Sequence, residues 1–118
     1  LERTRNGEDP RPPAESPPAA SRKPLVVLTD RRTGSAAEKL AAGLKGARGA
    51  TVIGDPTFGK GRGQMNRLLP GGTMVLVTAV ENLTREGEPI QGRGVRPDLP
   101  ADEDPIEKAK ELLRKPSP

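Results

Sequence analysis

The chain has 118 residues, enough for one domain at most, with 14 Gly, 14 Pro and a single aromatic side chain, Phe58. Its net charge of +4 is spread thinly and almost no ring could stack on a base, so nucleic-acid binding is weakly supported despite the basic balance. Without Cys there is no disulfide or thiolate chemistry, and without His any catalysis must find another base and any metal other ligands. No apolar run has the length of a membrane span, and no signal peptide is visible. The chain begins at Leu1, and we read it as a piece of a longer protein.

Residues 1–23 hold most of a proline-rich stretch, "LERTRNGEDPRPPAESPPAASRKP", that reads as a linker or insert without fixed structure. Its opening "LERTRNGE" also fits the end of a preceding strand. Residues 24–118 form the ordered part. Leu25–Thr29 is a continuous β-branched and apolar run, the pattern of a strand buried on both faces. Ala37, Leu40, Ala41 and Leu44 then recur at helical spacing, with Gly46 or Gly49 to end the helix. "ATVIG" supplies a second short buried strand. Strand, helix and strand in succession predict a βαβ unit with parallel strands.

Beyond a glycine-rich stretch over 59–63, "RLLPGGTMVLVTAV" predicts a hairpin turning at Pro70-Gly71-Gly72, with Met74–Val80 as its second strand. "TREGEPIQGRGVRPD" reads as loop with a short strand at most. "DPIEKAKELLRK" is a C-terminal helix, capped by Asp104, with Pro105 at its first position and Glu107 completing a capping box. Its apolar stripe is Ile106, Ala109 and Leu113, and Glu111 and Lys115 are spaced as an ion pair. The fold class is therefore α/β.

Two stretches carry candidate chemistry. "GDPTFGKG", residues 54–61, approximates a phosphate-binding loop. Gly61 stands where a magnesium-binding hydroxyl is required, Gly61 and Gly63 discourage a helix there, and Pro56 removes an amide donor. Ser35 is the second candidate, placed where a buried strand hands over to a helix. Ser35-x-x-Glu38 is a ready-made capping box, and capping serines are common. The same position also exposes a hydroxyl at the carboxyl edge of a strand, beside the first amides of the helix.

A nucleophilic serine needs a base, and this chain offers only lysine or a carboxylate. Lys60 follows the strand expected beside the one before Ser35, and Phe58 with the strand residues could exclude water from its amine. Lys60 can equally be an ordinary exposed loop lysine. Gln64 could orient the amine, or be a polar loop residue.

"PLVVLTDRRTGSAAEKLAAGL", "ATVIGDPTFGKGRGQ" and "GGTMVLVTAVENLTREGEPIQGRGVRPD", in that order, resemble the C-terminal half of carboxyl-terminal processing proteases, the tail-specific serine peptidases. The resemblance runs from about residue 24 to 115. It implies that Ser35 is the nucleophile, Lys60 the general base, Gln64 the support of the lysine and Ala36 an amide donor of the oxyanion hole. It implies acyl transfer on polypeptide substrates, without cofactor or metal, and an extracytoplasmic setting in the periplasm or cell envelope. The family's glycine-rich loop with the second oxyanion donor and its PDZ domain have no counterpart in this sequence. Lys39 also stands where the family prefers an apolar residue. The isolated piece is therefore expected to be inactive. A non-catalytic ligand-binding module on the same fold is the alternative reading; a proline-rich interaction segment is a lesser one.

Overall fold

A computed structural model describes residues 2–4, 7, 8, 23–100, 102 and 104–114. Among these residues seven strands and two helices follow in the order β1 (Glu2–Thr4), β2 (Gly7–Glu8), β3 (Val26–Thr29), α1 (Ala36–Arg48), β4 (Thr51–Gly54), β5 (Arg62–Leu68), β6 (Met74–Asn82), β7 (Leu99–Pro100) and α2 (Pro105–Arg114). They make two sheets. One is parallel, in the order β3-β4-β7, and the other is antiparallel, in the order β2-β1-β6-β5.

The βαβ unit is present as expected: Val26 to Thr29 align in parallel with Thr51 to Gly54. Val52 and Ile53 are fully buried, and both helices pack on β3 and β4. The apolar run of β4 is buried because the central strand of a parallel sheet is covered on both faces. The first strand departs from that expectation. Leu25 and Leu28 keep 38% and 43% of their surface exposed, since β3 is an edge strand in this chain.

Helix α1 starts after Ser35 and ends at Gly49, whose left-handed backbone (φ 63°) returns its N–H to Leu44 O. Its buried face is Glu38, Ala41 and Ala42, rather than the predicted Ala37, Leu40, Ala41 and Leu44. Leu40 is 63% exposed. The inward carboxylate of Glu38 rotates the helix away from its apolar stripe.

Of the stretch read as a linker, residues 2–4, 7 and 8 are strand, and residues 9–22 lie outside the described residues. β1 pairs with β6, Arg3 opposite Glu81, and their side chains form an ion pair. Lys39 of α1 pairs with Glu2, which gives a charged side chain on the helix a partner. The strand after the glycines is longer than predicted, since β5 begins at Arg62. Gly63 is flat against Val80, and a Cβ there would come within 2.4 Å of Val80 Cγ2. The turn falls at residues 70–72 as expected, closed by Leu69 N–H to Thr73 O (2.8 Å).

In α2, Asp104 accepts from the Ile106 amide (2.9 Å), as a cap should. Glu107 accepts from Lys110 (2.6 Å) instead of from the Asp104 N–H, so the predicted capping box does not form. Lys115 lies outside the described residues.

Asp98 fastens β4 to the segment leading into β7. Its Oδ2 accepts from Val52 N–H (2.9 Å), its own N–H donates to Val52 O (2.7 Å), and Lys45 of α1 reaches its Oδ1 (2.7 Å). Burial alone would push the Asp98 carboxyl up, but Lys45 and the Val52 amide outweigh it and hold it below the usual aspartate value. A depressed folded pKa adds stability above the unfolded value, and that stability is lost as pH falls through the folded one. Asp98→Asn should therefore lower stability at neutral pH by about 1 kcal/mol, kept modest by solvent screening, and flatten the loss below about pH 4. Urea titrations of both proteins at neutral and acid pH check this. An unchanged acid limb would refute it.

Candidate active site

Ser35 is held by the backbone as well as by its position. It is the one non-glycine described residue with positive φ, at φ 58°, ψ −119°, the mirror image of the extended region. A non-glycine residue there is strained, and such strain concentrates where a side chain must be presented sharply at a strand-to-helix turn. Behind it, Ala37 N–H donates to Gly34 O (3.3 Å), whereas Ala36 N–H has no partner among the described residues. The Ala36 amide thus sits unpaired beside an exposed serine at the amino end of a helix.

Glu38 joins this turn to the Lys60 loop. The carboxylate is fully buried. Its Oε2 accepts from Ser35 N–H and from Lys60 N–H, both at 2.8 Å, so the two backbone nitrogens lie no further apart than twice that distance. Its Oε1 accepts from Gly59 N–H (2.6 Å) and from the Thr57 hydroxyl. Thr57 Oγ1 in turn accepts from Val95 N–H (2.7 Å), and Phe58 N–H donates to Thr33 O (2.9 Å). The loops carrying Ser35 and Lys60 are thereby one hydrogen-bonded unit.

The Lys60 side chain is exposed, and Phe58 leaves 70% of its surface uncovered. The dry wall expected around the amine is thus absent among the described residues: Lys60 and Phe58 both lie open. Gln64 is also exposed, opposite Thr78 and just past a bulge in β5. The side chain that fixes the backbone after Lys60 is Gln91, whose Oε1 accepts from Gly61 and Arg62 N–H, each at 3.0 Å. Gly61 has no positive φ; a Cβ on it would fall 2.3 Å from Gln91 N. Close packing, rather than a left-handed backbone, is what requires glycine there. Glu38 was legible only as a cap, and neither Thr57 nor Gln91 carried a sequence signal.

Residues 2–101 match the sequence pattern of Peptidase family S41. The chain belongs to peptidase family S41. It is 40% identical over 80 residues to the carboxy-terminal processing protease CtpA of Bacillus subtilis (strain 168), covering 68% of this chain and 17% of that protein. With the chloroplastic C-terminal processing peptidase of Tetradesmus obliquus it shares 43% identity over 82 residues, 70% of this chain and 18% of that one. Among solved structures, the photosystem II D1 C-terminal processing protease superposes with a TM-score of 0.62 at 38% identity, over 77% of this chain and 24% of the other. The chain thus spans less than a fifth of the length of these two curated relatives. Its mixed α/β architecture is that of family structures, and its relatives are carboxyl-terminal processing serine proteases.

Proposed function

We propose that this chain supplies the nucleophile and general base of a serine endopeptidase that processes or degrades polypeptides near their carboxyl ends. The observation carrying the reading is the shared Glu38 oxygen, which holds the strained Ser35 turn and the Lys60 loop side by side. Ser35 Oγ attacks the scissile carbonyl carbon while neutral Lys60 takes its proton. The Ala36 N–H and a second donor, from a part of the peptidase outside this chain, hold the oxyanion. Collapse breaks the C–N bond, Lys60 returns the proton to the leaving amine, and water releases the acyl group with Lys60 again as base. Gln64 supports the lysine.

A lysine acts as a base only in its neutral form, which desolvation favours. The cover over Lys60 and Phe58 then comes from the remainder of the peptidase, including a PDZ domain and the amino-terminal half, and from the substrate. On this reading the isolated 118 residues are inactive, and the intact protein works outside the cytoplasm. A non-catalytic binding module would have no use for a serine in a strained backbone beside an unpaired amide.

Treating the full-length polypeptide that carries this chain with a fluorophosphonate tests the assignment. The reagent should attach to Ser35, as read by peptide mass spectrometry. An unmodified Ser35, or a label on another serine, would overturn the nucleophile.

A further inference from the structure

β5 is the outer strand of its sheet, with no strand on its far side among the described residues. The hairpin shows which of its groups face that side. Leu69 N–H donates to Thr73 O, so residues 69 and 73 are a hydrogen-bonded pair. Inward and outward backbone alternate from there, and the register is unbroken from Leu68↔Met74 to Gln64↔Thr78. Arg67 and Met65 therefore bond inward to β6, while the N–H and C=O groups of Leu68, Asn66 and Gln64 point away. A seven-residue edge strand without proline is a template for strand addition.

Two observations decide what adds there. β5 starts two residues after Lys60 and includes Gln64, so a chain laid along it is led to the candidate site. The β5–β6 hairpin, residues 61–82, also carries two cations, Arg62 and Arg67, against one carboxylate, Glu81, which Arg3 already pairs. Two copies of this hairpin repel each other, whereas a peptide ending in a carboxylate is attracted. Leu68, Leu76 and Met74, exposed at 71%, 58% and 63%, share the face of Gln64 and Asn66 and can receive alternate apolar side chains.

We propose that the polypeptide substrate binds as an added antiparallel strand on the free edge of β5, paired through the main chain of Gln64, Asn66 and Leu68. An antiparallel strand runs from Leu68 toward Lys60, so its carboxyl-terminal end arrives at Ser35. This rests on the peptidase reading above.

The test compares Asn66→Pro and Asn66→Ala in the full-length polypeptide, with an unstructured peptide of alternating apolar residues as substrate. Proline removes an N–H that the hairpin itself does not use. Asn66→Pro should raise KM about tenfold or more, the loss of one or two net hydrogen bonds, with fluorophosphonate labelling of Ser35 unchanged. Asn66→Ala, which keeps that N–H, should raise KM much less than Asn66→Pro does. On the unmodified enzyme, a substrate N-methylated at alternate residues should show the same loss, which decides the matter even if the proline variant does not fold. An unchanged KM for both the proline variant and the N-methylated peptide, with Ser35 still labelled, overturns strand addition. So does an equal loss in Asn66→Ala, or a sedimenting dimer that Asn66→Pro splits, which would make a second copy the occupant. Failure of Ser35 to label in the unmodified protein is the separate signature that the peptidase reading itself is wrong.

Discussion

Replacing Ser35 by alanine in the full-length polypeptide should lower kcat on an unstructured peptide with an apolar carboxyl terminus by about four orders of magnitude or more. Lys60→Ala should cost a similar amount, because in the proposed dyad nucleophile and base act as one unit. The double variant should then be little worse than either single one, since such effects do not add. The pH profile separates the candidate bases. With a lysine base kcat/KM climbs with pH, while a carboxylate base leaves it flat once the solution is above the carboxylate range. Cleavage undiminished in either variant, or a flat profile from neutral to alkaline pH, would remove the Ser/Lys assignment.

Removing the Glu38 carboxylate should be the largest stability loss in the chain. Glu38→Ala strips acceptors from four donors, the amides of Ser35, Gly59 and Lys60 and the hydroxyl of Thr57. Unsatisfied buried donors cost about 1–3 kcal/mol each, partly recovered as water enters, so a loss of about 4 kcal/mol is expected. Glu38→Gln is nearly isosteric and should still cost about 2 kcal/mol, since its amide group turns N–H bonds toward groups that themselves donate. Chemical denaturation measures both. Labelling of Ser35, followed well below the unfolding transition, should slow in Glu38→Gln as the two loops lose their common anchor. A glutamine variant as stable and as quickly labelled as the parent would show that Glu38 is only a helix cap.

Much of the fold was readable because its signals are local. The β3-α1-β4 unit follows from two apolar β-branched runs flanking a 3.6-residue period, and Gly49, Asp104 and Pro105 mark helix ends by backbone chemistry alone. The hairpin turn at 70–72 is equally local. What escaped depends on partners distant in sequence. Leu40 looks like a core residue until Glu38 is drawn inward by Thr57, Gly59 and Lys60, some twenty positions later. Gly61 and Gly63 read as loop glycines, yet each makes room for a neighbouring segment, at Gln91 and Val80. The arrangement of Ser35 and Lys60 was anticipated in part: their loops do meet. The water-excluding wall around the lysine was expected from Phe58, which is itself left largely uncovered.

The backbone of Ser35 sets two selective demands against each other. Its φ and ψ are those glycine adopts without cost, so a serine there is a local sacrifice of folding free energy. Any screen that rewards only a sturdier fold would drift toward glycine at position 35, and each such winner would have lost its hydroxyl. On the peptidase reading, serine is held at that turn by selection on chemistry, and stabilised versions of this chain are best sought everywhere except there.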